Sequence, residues 1–216
     1  MLFIFDWDGT LCNSTMTITR AMQLAAKEIG WQVLEDHEVH EIIGLGLPEA
    51  LRALYPEADD KGLELLRQTY AKHFIELDQA VPAVLFPGVR DTLDHLKREG
   101  HHLAVATGKA RKGLTRMLQM MDMVDYFDAT RCADETASKP NPLMLNELLG
   151  HFARKVDEAV MLGDTEFDMG MAKVIDMPRI AVSYGAHHID RLKKYEPELC
   201  MDHFPELLGW RGVSGL

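Results

Sequence analysis

The sequence predicts an α/β protein in which a doubly wound, mostly parallel sheet carries an inserted helical domain. Three observations support this fold class. Short apolar runs alternate with amphipathic helical patterns, as they do where a parallel sheet is covered on both faces. Polar residues directly follow several of the apolar runs. Residues 15–82 contain helical patterns without a strand pattern between them.

The first apolar run, residues 2–5, is typical of a strand that is buried on both faces. It ends at Asp6, and Asp8, Gly9 and Thr10 follow closely. Two carboxylates this near each other repel, so a divalent cation is their natural counter-charge in a buried setting. A calcium loop of the EF-hand type is disfavoured, because Gly9 follows Asp8 directly and a strand comes first. For this stretch alone, a plain surface turn is the simpler alternative.

A helical segment follows the acidic loop. Apolar periodicity predicts four helices, over about residues 15–29, 36–43, 48–54 and 61–77. Ser14 is the candidate N-cap of the first helix, and the chain returns towards the sheet at residues 81–88. We therefore predict an α/β core of residues 1–14 and 83–216, and a helical cap of residues 15–82 that covers the loop and excludes water. A long crossover of core helices is the alternative.

The second half of the chain alternates regularly between the two patterns. It predicts helices over about residues 89–99, 110–121 and 139–151, and a further helix that ends near residue 174. Strands are predicted at residues 102–106, 127–130, 159–162 and 180–182. This alternation is typical of a Rossmann-like core, in which strands run parallel and helices cover both faces.

Residues that can bind ligands or take part in catalysis stand at the ends of these predicted strands. They comprise carboxylates, a hydroxyl beside a flexible glycine and an ammonium: Asp6, Asp8, Thr107, Gly108, Lys139 and Asp164. Because the carboxyl ends of parallel strands meet at one edge of a sheet, we expect these side chains to converge. Three carboxylates can hold Mg²⁺, while the hydroxyl, backbone N–H groups and the ammonium can hold phosphate oxygens. One carboxylate is then left to attack phosphorus and a second to transfer a proton.

Each of these signals is weak by itself. Thr107 is typical of an ordinary strand residue, Lys139 of a solvated charge and Asp164 of a helix N-cap; only their joint occurrence is specific. Receiver domains of signalling proteins combine similar residues, but they place the phosphate acceptor on a later strand than the acidic pair. Here one residue separates Asp6 from Asp8 and Gly-Thr follows, which favours an acceptor and an acid/base on one loop.

Four stretches resemble, in order, the four motifs of the haloacid dehalogenase-like hydrolases. They are residues 6–11 (Asp-Trp-Asp-Gly-Thr-Leu), Thr107, Lys139-Pro140 and residues 163–168 (Gly-Asp-Thr-Glu-Phe-Asp). The helical segment is similar to the small helical cap of that family. The resemblance covers essentially the whole chain and is specific as a set.

The resemblance implies a role for each matching residue. Asp6 would be the nucleophile that becomes phosphorylated, and Asp8 would protonate the leaving oxygen and later activate water. Thr107 and Lys139 would bind the phosphoryl group. Mg²⁺ would be held by Asp6, Asp8 (through its backbone carbonyl) and Asp164, with Asp168 supporting that set. We further expect the substrate to contact Gly9, Thr10, Gly44 and Gly108.

The second acid, Asp8, favours phosphoryl transfer over carbon–halogen cleavage. The cap loop at residues 43–48 is apolar and Gly-rich, which looks like phosphoglycolate-phosphatase members, whereas sugar-phosphate mutases usually carry a basic residue there. Asn13 stands where many members of the family carry an acidic residue after the first motif. The predicted function is a Mg²⁺-dependent phosphatase that hydrolyses a small, phosphoglycolate-like monoester through an aspartyl-phosphate. A phosphomutase of the β-phosphoglucomutase type and a catalytically silent metal- or phosphate-binding module are the alternatives.

Composition narrows the partners. The formal net charge of −11 argues against binding to nucleic acid or to an anionic membrane. Cys12, Cys132 and Cys200 are too scattered for a disulfide framework, and the N-terminal apolar run is too short to span a bilayer. We expect a cytoplasmic monomer or homodimer that binds a small phosphorylated metabolite. His187 and His188 are expected to be a solvated loop pair.

Overall fold

The computed structural model describes residues 1–213, which form a six-stranded parallel sheet with helices on both faces. The strands are β1 (Leu2–Phe5), β2 (His102–Thr107), β3 (Ala129–Cys132), β4 (Ala159–Gly163), β5 (Arg179–Val182) and β6 (Leu199–Met201). Their order across the sheet is β3-β2-β1-β4-β5-β6, and every neighbouring pair is parallel. The predicted α/β fold is confirmed.

The centre of the sheet explains why the first apolar run is continuous. Phe3 and Phe5 belong to one apolar layer, whereas Leu2 and Ile4 belong to the layer on the opposite face. Successive side chains of a strand alternate between faces, so a strand covered twice needs apolar residues at every position. The strand order reverses between β1 and β4. Open α/β sheets bind ligands in the crevice at such a point. Asp6 lies there because it follows β1 directly.

The described part of the chain has nine α-helices. The first four are α1 (Thr15–Glu28), α2 (Asp36–His40), α3 (Leu47–Leu54) and α4 (Asp60–Ala80), and we call them the cap helices. The others are α5 (Val89–Arg98), α6 (Arg111–Met120), α7 (Leu143–Phe152), α8 (Glu166–Val174) and α9 (Ile189–Leu192). Helix α1 packs mainly on α4, and both contribute residues to the apolar layer that contains Phe3 and Phe5.

The structure differs from the sequence prediction at the weakest patterns. Residues 81–88 form no strand; Leu85 makes only an isolated antiparallel bridge with Cys12. Strand β6 was not predicted, because this edge strand has three residues and is only partly buried, so it carries no alternating pattern. No helix between residues 1 and 213 combines the length and the apolar character that a bilayer crossing requires.

Candidate active site

Asp6 opens the loop after β1, and its carboxylate is almost completely buried. Its backbone N–H donates to the Leu162 carbonyl at 2.9 Å, so the sheet pairing continues up to this residue. Oδ1 accepts a hydrogen bond from Lys139 Nζ at 2.5 Å. Oδ2 is buried and has no hydrogen-bond partner among residues 1–213. One oxygen is thus fixed, while the other is available to a ligand.

Lys139 is the counter-charge of this centre. Its side chain is fully buried, and Nζ contacts Asp168 Oδ1 at 2.7 Å as well as Asp6. Burial lowers the pKa of Lys139, but the nearby charges of Asp168 and Asp6 outweigh that effect and hold the pKa above its usual range. Burial also raises the pKa of Asp6 well above its usual range, and the Lys139 charge offsets this only in part.

Asp164 follows β4 and enters the same cluster from the neighbouring strand. Its Oδ1 accepts from Thr10 Oγ1 at 2.8 Å and its Oδ2 from the Ala186 backbone N–H at 2.7 Å. Burial, with help from the Asp168 charge, raises the pKa of Asp164 to about 7. A Cβ at Gly9 would overlap Asp164 Oδ2 and lie 2.8 Å from its Cγ. Gly9 and Thr10 therefore position Asp164 here rather than line the cavity described below.

The donor set fits a divalent cation. Carboxylate oxygens of Asp6, Asp164 and Asp168 all lie within 4.8 Å of one another. Three ionised carboxylates beside one ammonium leave a charge that a dication balances, and hard oxygen donors suit Mg²⁺. The buried, unpartnered Oδ2 of Asp6 is the clearest position for a metal contact.

Asp168 has both oxygens engaged within the protein. Oδ1 accepts from Lys139, while Oδ2 accepts from the Thr165 hydroxyl at 2.7 Å and from the Thr165 N–H at 3.1 Å. These bonds are part of the capping box that begins α8. Asp168 therefore holds Lys139 and the start of α8 together.

Asp8 is held apart from that cluster. Ser14 Oγ donates to Asp8 Oδ1 at 2.5 Å, and Lys109 Nζ lies 3.0 Å from the same oxygen. Ser14 stands at the N-cap position of α1, but its hydroxyl makes no capping bond, so the predicted side-chain cap is wrong. Lys109 was not predicted as a site residue. Its position two residues after Thr107 was a signal, although a lysine before a helix is usually solvated.

A cavity of about 660 Å³ lies between the cap helices and the core, and Asp6 and Asp8 both line it. Gly44 and Gly108 also line it, whereas the other predicted site residues are not among its lining residues: Gly9, Thr10, Thr107, Lys139, Asp164 and Asp168. Four basic side chains line the cavity: Arg67, Lys109, Lys112 and Arg116. Asp6 and Asp8 are the only acidic residues among the described residues around it. This charge balance favours an anionic ligand.

Thr107 is the last residue of β2, and Gly108 follows it beside the loop. The register pairs Phe5 with Val105, so Thr107 lies one position beyond the level of Asp6. Thr107 Oγ1 accepts from the Lys109 N–H at 3.2 Å. A Cβ at Gly108 would lie 2.6 Å from the Gly44 carbonyl oxygen, so the cap loop is in direct backbone contact with the core.

Ion pairs also join the cap helices to the core. Arg191 contacts Glu41 in the cap at 2.6 Å and also pairs with Glu166 at the start of α8. His187 is buried nearby, and its Nδ1 accepts from the Glu166 N–H at 3.1 Å. The expected solvated pair is therefore wrong for His187 and confirmed for His188, whose side chain is 74% exposed.

The chain is similar in sequence to known proteins over most of its length. Residues 3–182 match the family described as haloacid dehalogenase-like hydrolase. The chain is 33% identical over 211 residues to a probable phosphatase, IndB, of Dickeya dadantii, with 96% of this chain and 92% of that protein covered. It is 30% identical over 215 residues to a phosphoglycolate phosphatase of Aliivibrio fischeri, with 96% and 94% covered.

A solved structure shows the same fold. The crystal structure of a predicted phosphoglycolate phosphatase from Haemophilus somnus superposes with a TM-score of 0.87 at 22% identity, and 96% of each chain is covered. The family match extends from β1 to β5 and so includes the acidic loop, Lys139 and Asp164. The chain therefore belongs to the haloacid dehalogenase-like hydrolase family.

Proposed function

We propose that this hydrolase is a Mg²⁺-dependent phosphatase that cleaves a small phosphate monoester through an aspartyl-phosphate on Asp6. One observation carries the proposal. Asp6 lines the cavity with one carboxylate oxygen fixed by Lys139 and the other free, and Asp8 lines the same cavity. A nucleophilic carboxylate and a separate acid/base therefore face one space that favours an anion.

In the first step, a carboxylate oxygen of Asp6 attacks phosphorus. The bond from phosphorus to the ester oxygen breaks, its electron pair stays on that oxygen, and protonated Asp8 supplies the proton that makes the alcohol. Lys139 donates to Asp6 Oδ1 and so keeps the carboxylate in one orientation. The Thr107 hydroxyl and the N–H groups of the acidic loop are the candidate donors to the phosphoryl oxygens.

In the second step, water attacks the phosphoryl group and Asp8 removes its proton. The bond between phosphorus and Asp6 breaks, which regenerates the carboxylate and releases inorganic phosphate. Ser14 and Lys109 both hold Asp8 Oδ1, so the acid/base stays in one orientation through both steps. Asp6 and Asp164 would hold Mg²⁺, with Asp168 acting through Lys139. When bound, the ion supplies charge stabilisation for the transferring phosphoryl group.

Phosphoglycolate is the first substrate to test, because several relatives are named as phosphatases of that ester. Residues 15–82 would form the cap that closes over it. The three free cysteines fit the reducing cytoplasm, and no part of the mechanism requires more than one copy of the chain.

The test measures phosphate release from phosphoglycolate and other monoesters, in Mg²⁺ and in EDTA. We expect turnover only with Mg²⁺, and we expect Asp6→Asn to abolish it while the circular dichroism spectrum is unchanged. Asp91→Asn, on the exposed surface of α5, is the matched control and should keep parental activity. Acid-quenched parent enzyme should carry a phosphoryl group on the peptide that contains Asp6. Full activity of Asp6→Asn would refute the assignment.

A further inference from the structure

The cap side of the cavity is an apolar wall. Side chains from three cap helices form it: Ile18, Met22, Leu47, Tyr70, Phe74 and Ile75. The volume of about 660 Å³ falls in the range of about 300–1,000 Å³ that is typical of sites for drug-sized ligands. A two-carbon acid on the phosphoryl group would leave most of this wall facing water, which is unfavourable for apolar surface.

Three of the four basic side chains around the cavity pair with carboxylates of the protein. Lys109 pairs with Asp8, Arg116 pairs with Asp78 at 2.6 Å, and Arg67 pairs with Glu64 at 2.7 Å. Lys109 also lies over the Phe74 ring, 4.7 Å from its centre. Lys112 is exposed to solvent. Beyond the phosphoryl position at Asp6, the inner part of the cavity therefore presents mainly apolar surface to the rest of a bound molecule.

We infer that the preferred substrates are phosphate monoesters of alcohols that carry an aryl or branched alkyl group, and that this group packs against Tyr70, Phe74 and Ile75. Aromatic side chains provide large apolar contacts and offset or edge-on stacking for a planar group. This inference rests on the proposed phosphatase function and names the substrate class of the same site.

The test compares esters whose leaving alcohols are all primary: phosphoglycolate, ethyl phosphate and 2-phenylethyl phosphate. With Mg²⁺, we expect kcat/KM for 2-phenylethyl phosphate to exceed that of each of the others by about ten- to a hundredfold, the effect of burying one phenyl group. Equal or higher kcat/KM for phosphoglycolate would overturn the inference and leave the phosphatase function intact.

Two variants of α4 test whether the apolar wall causes the preference for the phenylethyl ester. Ile75 lines the cavity and is 37% exposed, so Ile75→Glu places a charge on the apolar wall without burying it in the core. We expect this variant to lose most of the preference for the phenylethyl ester. Leu65→Glu changes an apolar residue of the same helix that is 52% exposed and lies outside the cavity, and it should keep the preference. Equal effects of the two variants would contradict the assignment.

A binding measurement separates the two proposals. Ethylphosphonate and 2-phenylethylphosphonate have no ester bond that the enzyme could cleave. Their affinity can therefore be measured without turnover. Isothermal titration with the parent enzyme and Mg²⁺ should show tighter binding of the phenylethyl compound, and equal affinities would refute the apolar site. If no ester is hydrolysed although 2-phenylethylphosphonate binds more tightly than ethylphosphonate, the phosphatase proposal fails and the apolar site stands.

Discussion

Lys139 Nζ lies 2.5 Å from Asp6 Oδ1, although the two residues are 133 positions apart in the sequence. Both groups are buried, and a second carboxylate, from Asp168, contacts the same ammonium. A buried ion pair is retained only where the geometry is good, because each charge loses its hydration. The contact therefore joins the start of the sheet to the segment before α7.

Replacing Lys139 by methionine should destabilise the protein by about 3–5 kcal/mol in the absence of divalent cations, since it leaves two buried carboxylates without their partner. Urea unfolding in EDTA measures the free energy of unfolding. Adding Asp6→Asn to Lys139→Met removes one of the uncompensated charges and should restore part of the loss. A double variant less stable than Lys139→Met would show that the two residues do not interact in this way.

Gly9→Ala should abolish activity and lower stability, because the backbone has φ of +85° and the new methyl group would overlap Asp164. Gly30→Ala is the matched control. Gly30 also has positive φ, +74°, but beyond its chain neighbours no atom of residues 1–213 lies within 4 Å of the place that a Cβ would take. This variant should cost only about 1–2 kcal/mol of backbone strain and keep activity. Phosphate release and urea unfolding measure both effects. Parental activity in Gly9→Ala would contradict the close approach to Asp164.

Thr10→Val tests what the Thr10 hydroxyl does. The sequence predicted contact with substrate, whereas the structure shows the hydroxyl donating to Asp164. Loss of a bond that orients a metal ligand typically weakens metal affinity by about ten- to a hundredfold. We expect activation to need more Mg²⁺ in this variant, with an unchanged KM for substrate at saturating Mg²⁺. The reverse pattern would favour direct contact with substrate.

The stability of the metal-free protein should fall as pH rises. The pKa of Asp164 is about 7 in the folded state and about 3.9 in an unfolded chain, so the folded state binds the proton more tightly. The resulting stabilisation is complete below about pH 4 and is lost as pH rises through 7. Thermal unfolding in EDTA from pH 5 to 8 should show this fall, and Asp164→Asn should show a shallower one.

Added Mg²⁺ is the control for that prediction. It should raise the melting temperature of the parent most at pH 8, where the carboxylates are ionised, and should raise that of Asp164→Asn much less. Asparagine can still accept from the Ala186 N–H, and the Thr10 hydroxyl can turn to accept from its amide, so the variant is expected to fold. A pH dependence identical in parent and variant would show that Asp164 is not the group responsible.

The sequence predicted the elements with strong local patterns. Buried strands such as residues 2–5 are continuous apolar runs, and the carboxylates that follow β1 and β4 sit at predictable strand ends. Contacts that depend on tertiary packing could not be read from local patterns. Ser14 looked like a helix cap, but its hydroxyl donates to Asp8 instead of to the first turn of α1. His187 looked solvated, but Phe167 packs against it edge-on.

At position 108 only the hydrogen atom of glycine fits, because the backbone of the cap loop lies directly against it. The Gly44 oxygen would be 2.6 Å from any Cβ at position 108, so even alanine would act as a wedge between the two parts of the molecule. Such a variant would keep Asp6, Asp8 and Lys139 intact, but its cap loop would lie further from the end of β2.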